Sequence, residues 1–106
     1  MKERLEMKEI IYMLSIPDIK ELITPICKQY GIERAYLFGS YARGDAKEGS
    51  DVDLRIDRGA LTGLKFCGFY VDIEDALQCN VDILTTEQLK PQFLHNIQKD
   101  EVLLYG

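Results

Sequence analysis

Leu37-Phe38-Gly39-Ser40-Tyr41-Ala42-Arg43-Gly44 and, a few residues on, Ser50-Asp51-Val52-Asp53-Leu54 form the stretch on which the reading of the fold turns. The run Ile32 to Phe38, rich in apolar and aromatic residues, predicts a short strand that stops abruptly at Gly39-Ser40. A turn and a short helix should follow, then a polar loop made of Gly44, Asp45 and the residues from Lys47 to Ser50. Asp51 to Ile56 reads Asp, Val, Asp, Leu, Arg, Ile, the alternation of a second strand. On that strand Asp51 and Asp53 share a face, about 6.6 Å apart, while Val52 and Leu54 turn to the core.

Working outward, Leu61, Leu64, Phe69, Ile73, Ala76 and Leu77 recur at mostly helical spacing, with Gly63 and Gly68 as weak points. Asn80 to Leu84 predicts a third strand and Val102 to Tyr105 a fourth, and between them Thr85 or Thr86 caps a helix containing Pro91, Phe93, Leu94 and Ile97. Upstream, Ile19, Leu22, Ile23, Ile26 and Cys27 form the apolar stripe of a helix from Pro17 to Gly31, in which Pro25 predicts a kink. Met7, Ile10, Ile11 and Leu14 mark a further amphipathic helix ending near Ser15. Its stripe either completes the core or docks on a partner.

A chain of 106 residues that is 46% hydrophobic fits one domain, residues 1–106, with 1–15 as an additional N-terminal helix. No apolar run is long enough to span a membrane and the charged N-terminus does not resemble a signal peptide, so a cytoplasmic protein is expected. Cys27, Cys67 and Cys79 are odd in number and lack metal-site spacing, and are read as buried free thiols. A net charge of −5 opposes a long nucleic-acid partner, whose phosphates need Lys and Arg, but not a single nucleotide arriving with its metal.

Two carboxylates at the spacing of Asp51 and Asp53 repel by about 2 to 3 kcal/mol at an effective dielectric of about 20, and Asp82 on the third strand adds to the cost. A divalent cation removes that cost, and carboxylate oxygens completed by water and phosphate are the ligands magnesium takes. Two such ions suit an in-line displacement at phosphorus. Gly39-Ser40 supplies the complement, because a glycine after a strand lets phosphate approach the backbone and a helix starting there offers free N–H groups. Alone, a Gly-Ser pair also fits an ordinary turn, and an Asp-x-Asp also fits a solvated strand end, a turn cap or a calcium loop over Asp45 to Asp53. His95, the one histidine, reads as a surface residue, and Asp72, Glu74 and Asp75 as the wet face of a helix.

Gly39, Ser40, Ala42, Arg43 and Gly44, then Ser50, Asp51, Asp53 and Leu54, then Val81 and Asp82, resemble the signature of the minimal nucleotidyltransferase family, a small branch of the polymerase-beta-like superfamily. The likeness runs from about Asp18 to Tyr105. It implies an α/β (α+β) nucleotidyltransferase fold, a mixed four-stranded sheet with helices mainly on one side. It also implies a pair of magnesium ions held by Asp51, Asp53 and Asp82, with AMP moved from ATP to a hydroxyl. Gly39 and Ser40 would hold the triphosphate, Ser50 would belong to the same binding set, and Arg43 would meet phosphate or form an ion pair with Asp45 or a site carboxylate. Asp82 would hold the catalytic ion and help deprotonate the acceptor. The resemblance further implies an antitoxin that silences a HEPN-type ribonuclease toxin by adenylylating it, within a hetero-oligomer. The competing reading is a non-catalytic antitoxin or nucleotide-binding module that neutralises its partner by binding alone. Arg55 departs from the pattern, since an apolar residue is frequent there.

Overall fold

A computed structural model describes residues 13–106, and the predicted N-terminal helix, together with most of its apolar stripe, lies outside the described residues. Helix α1 (Ile16–Tyr30) begins in a capping box: the Ser15 hydroxyl accepts from the Asp18 N–H at 3.1 Å, and the Asp18 carboxylate accepts from the Ser15 N–H at 3.1 Å. Ile19, Ile23 and Cys27 recur every fourth residue and are buried, whereas Leu22 and Pro25 face out. The helix runs unbroken through Pro25.

Strand β1 (Arg34–Phe38) leads through Gly39 into the single-turn helix α2 (Ser40–Arg43), and strand β2 (Val52–Asp57) follows the polar loop. Helix α3 (Gly63–Leu77) connects β2 to strand β3 (Val81–Thr85), helix α4 (Pro91–Gln98) follows a 3-10 turn (Thr86–Gln88), and strand β4 (Val102–Tyr105) closes the sheet. The expected single helix after β3 is thus two elements. Thr85 caps the 3-10 turn in a box with Gln88, and Lys90 opens a new helix at Pro91, where the lost N–H is harmless.

The strand order is β3-β2-β1-β4, with β2–β3 parallel and both partners of β1 antiparallel, so the sheet is mixed and four-stranded as expected. Ala35 and Leu37 of β1, Val52, Leu54 and Ile56 of β2, Val81 and Ile83 of β3 and Leu104 of β4 form one buried face. It packs with Ile19, Ile23 and Cys27 of α1 and Phe69, Ile73 and Leu77 of α3. Period two in the strands and period 3.6 in the helices therefore meet in one core.

Three expectations change. Leu64, assigned to the apolar stripe, is 92% exposed, because it stands in the first turn of α3, beyond the part that Phe69 and Ile73 seat on the sheet. Only Cys27 is a buried thiol: Cys67 is exposed on α3, away from the Phe69–Ile73–Leu77 stripe, and Cys79 is half-buried in the turn after that helix. Asp72 is not merely wet, as the Tyr30 hydroxyl donates to it at 2.7 Å and ties α1 to α3.

Candidate active site

The sheet face away from α1 and α3 carries the polar residues that strand parity predicts. In register, Asp53 stands opposite Phe38 on one side and Asp82 on the other. Neighbouring strands lie about 4.8 Å apart, so Asp53 and Asp82 are immediate neighbours although far apart in sequence. Val81 and Ile83 are buried in the core, which turns Asp82 to the open face with Asp53. Asp51 lies one residue before β2 rather than in it, exposed at the mouth of the loop.

The crowding has an electrostatic signature. The Asp53 carboxyl is pushed up to about 6, first by burial and then by the charges of Asp82 and Asp51, with Arg43 working in the opposite direction. Among the described residues, no three His, Cys, Asp or Glu side chains are placed so that together they could hold a metal ion. Carboxylates that repel one another do not gather unaided, and magnesium keeps several waters and needs only one or two carboxylates beside the phosphates it bridges. The donors on offer are carboxylate oxygens, the kind a hard cation takes, although of Asp51, Asp53 and Asp82 only Asp53 lines the cleft.

Gly39 takes φ 78° and ψ −154°, a conformation open essentially to glycine alone. A Cβ there would run into the Asp53 carboxylate, whose Cγ would be 3.1 Å away, so the missing side chain lets the strand end lie against the acid. The turn that follows is closed by the Arg43 N–H donating to Gly39 O and the Gly44 N–H to Ser40 O, both at 3.0 Å, so the N–H groups of Ser40 to Ala42 precede the first bonded amide of the turn.

Phe38, Gly39, Ser40, Arg43 and Asp53 line a cleft of about 440 Å³ whose opposite wall is Phe93, Asn96, Ile97 and Asp100, from α4 and the turn after it. That volume is within the roughly 300 to 1,000 Å³ usual for small-molecule sites. Arg43 lines the cleft while its Nε reaches Asp45 at 3.3 Å, so the ion pair anticipated with Asp45 is present. Ser50 is held elsewhere: its hydroxyl accepts from the Lys47 N–H at 2.8 Å, closing the loop that delivers Asp51. His95 is exposed and outside the cleft lining.

The α4 wall was missing from the sequence reading, which found the helix and not its position; the pairing of Phe93 with Phe38, one in a helix and one in a strand, left no local signal. Tyr70 was missed too. Its hydroxyl donates to Val81 O at 2.6 Å, pinning the start of β3 one residue before Asp82.

Compared with known proteins, residues 21–106 match the family described as polymerase beta, nucleotidyltransferase. A Methanocaldococcus jannaschii protein provisionally named a protein adenylyltransferase is 35% identical over 96 residues, covering 85% of this chain and 92% of its own length. A solved structure provisionally described as a minimal nucleotidyltransferase superposes with a TM-score of 0.73 at 27% identity, over 84% of this chain and 95% of that one. A chain from the structure of the tri-AMPylated HEPN toxin of Shewanella oneidensis in complex with an MNT antitoxin shares the fold, at 18% identity and a TM-score of 0.65, over 86% of this chain and 72% of that one.

Proposed function

The chain belongs to the polymerase beta nucleotidyltransferase family and is a nucleotidyltransferase, and from that premise we propose that it transfers AMP from ATP to a hydroxyl of a protein partner, acting as the antitoxin of a HEPN-type toxin. The observation that carries the chemistry is Asp53, set between Gly39 and Asp82 with its carboxyl raised by burial and by neighbouring acids. A site that concentrates unneutralised carboxylate next to a glycine turn is poorly suited to stability alone and well suited to a cation-borne triphosphate.

Asp51 and Asp53 would hold two magnesium ions in this reading, and Asp82 would share in holding the catalytic one. Bound there, magnesium supplies positive charge to the phosphates and lowers the barrier to displacement. Gly39 lets the triphosphate approach the backbone, Ser40 and the N–H groups after it donate to the phosphate oxygens, and Arg43 leaves the exposed Asp45 to meet them. Ser50 fixes the loop from which Asp51 projects. The acceptor oxygen attacks the α-phosphorus, pyrophosphate leaves, and Asp82 takes the hydroxyl proton.

A protein acceptor is the reading favoured by the relative from Methanocaldococcus jannaschii, which bears the name of a protein adenylyltransferase and matches this chain over most of both lengths. Among the described residues no helix is long and apolar enough to cross a membrane, and the reading places the protein in the cytoplasm, where ATP and magnesium are plentiful.

Co-expression with the protein encoded beside it, followed by intact mass measurement of that partner, tests the proposal. Wild type should add one or more AMP masses, and Asp51→Asn/Asp53→Asn should add none, with transfer at least about a thousandfold slower on the several kcal/mol a metal ion provides. Neutralisation by the double variant as complete as by wild type, with no mass change in either, would replace the enzyme with an antitoxin that acts by binding alone.

A further inference from the structure

The two walls of the cleft differ in chemistry. Gly39, Ser40, Arg43 and Asp53 supply backbone donors, a cation and a metal-seeking acid, whereas the α4 side supplies an aromatic ring, a carboxamide and an aliphatic chain, with Asp100 beyond the helix end. Asp100 brings negative charge and no cation, which repels phosphate and suits a neutral group. Among the described residues Phe93 is 43% exposed, high for a phenyl ring, yet it is not loose. It is held against buried Phe38 with centroids 6.3 Å apart and ring planes at 89°. In such an edge-to-face pair, whichever ring gives the edge, at least one face of Phe93 is left open by its neighbour. Asn96 stands three residues on, about one turn along the same side of α4, and its side chain makes no hydrogen bond among the described residues.

We propose that α4 is the nucleobase wall of the cleft, with Phe93 stacking on the base and Asn96 reading its edge in favour of adenine. The proposal rests on the nucleotidyltransferase reading of the same cleft and adds the source of its base preference. A carboxamide offers one donor group and one acceptor. It complements the amino group and ring nitrogen that adenine presents side by side, whereas guanine presents two acceptors on the corresponding edge. Phe38 acts as the positioning residue, because its ring fixes the tilt of Phe93 from inside the sheet.

The test uses the full chain with magnesium and measures calorimetric affinity for ATP, GTP and inorganic tripolyphosphate. Phe93→Ala should weaken both nucleotides about five- to a hundredfold, the range of one base–aromatic stack, and leave tripolyphosphate within about twofold; Phe93→Tyr should restore nucleotide binding. Asn96→Ala should remove the preference for ATP over GTP while keeping tripolyphosphate binding. If Phe93→Ala leaves ATP affinity unchanged while wild type binds tripolyphosphate, the base lies elsewhere and only this inference is lost, including the case in which the same variant releases the partner protein and so gives α4 to the interface. If Phe93→Ala weakens tripolyphosphate as much as ATP, Phe93 is a structural support and the inference is likewise overturned. A wild-type chain that binds neither ATP nor tripolyphosphate overturns the nucleotidyltransferase reading along with it.

Discussion

Asp53 and Arg55 are two residues apart on one face of one strand, and the protein treats their charges in opposite ways. Asp53 has acids around it, Asp82 across the strand pair and Asp51 before it, and its carboxyl is raised. Arg55 is 4% exposed and paired through all three of its nitrogens: its Nε and Nη2 donate to Glu101 at 3.1 and 2.6 Å, its Nη1 donates to Thr86 at 2.8 Å and lies 3.6 Å from Asp57, and its guanidinium sits 3.9 Å from the centroid of Tyr36. Burial works against its charge, but the Glu101 hydrogen bonds and the nearby acids more than offset this and hold the guanidinium above its ordinary value. One end of β2 is electrostatically finished by the fold. At the other, acid stands beside acid.

Breaking the finished end should have the largest effect. Arg55→Ala leaves the largely covered Glu101 without its partner and should lower unfolding free energy in urea by about 3 to 5 kcal/mol, whereas Arg55→Met/Glu101→Leu, which removes both charges and keeps the volume, should fall much closer to wild type. Equal losses in the two variants would mean that the cation–π contact with Tyr36, absent from both, and not charge pairing, holds that end.

At the acidic end, Gly39→Ala forces a side chain into a backbone region costing about 1 to 3 kcal/mol and into the Asp53 carboxylate, and should abolish magnesium-dependent nucleotide binding. Gly44→Ala is the control, because Gly44 also has positive φ but nothing within 4 Å of its would-be Cβ. It should cost about 1 to 2 kcal/mol in strain while binding survives. Loss of nucleotide binding in both would show that turn geometry alone matters, with no special place for the approach to Asp53.

The smallest effect sharpens the contrast by pH. Asp53 is raised from 3.8 to about 6 in the folded chain, so the native state binds more protons than the unfolded one between those values. Its contribution therefore favours folding below about 4 and is lost as pH rises through about 6, the reverse of a salt-bridged carboxylate. Without metal, Asp53→Asn should melt a few degrees above wild type at pH 7, and the two should converge near pH 4. Magnesium should reverse the order at neutral pH by stabilising the wild type.

Much of the architecture was legible because it rests on short-range rules. β4 was bounded correctly at Val102–Tyr105, β1 to β3 ran one or two residues off at their ends, and the helix placed from Pro17 begins one residue earlier, at Ile16. The turn at Gly39 was equally visible, since a glycine where a strand stops supplies the backbone freedom that a sharp change of direction requires. Where the reading failed, the cause lay across the chain. Arg55 counted as an oddity because its partner Glu101 is 46 residues away, and Leu64 was taken into the core because periodicity cannot report where a helix stops touching a sheet.

The sequence by itself determined which side chains share a strand face and where the backbone must turn, and it singled out three acids as candidates for a common counter-charge, because period, propensity and Coulomb repulsion act over a few residues or on any arrangement. Only the tertiary structure decided that Asp82 stands in register with Asp53 across a parallel pair, that Arg55 is sealed by Glu101, and that α4 faces Gly39 across a cleft. Each of those depends on register and helix docking, which are set by the packing of the whole core.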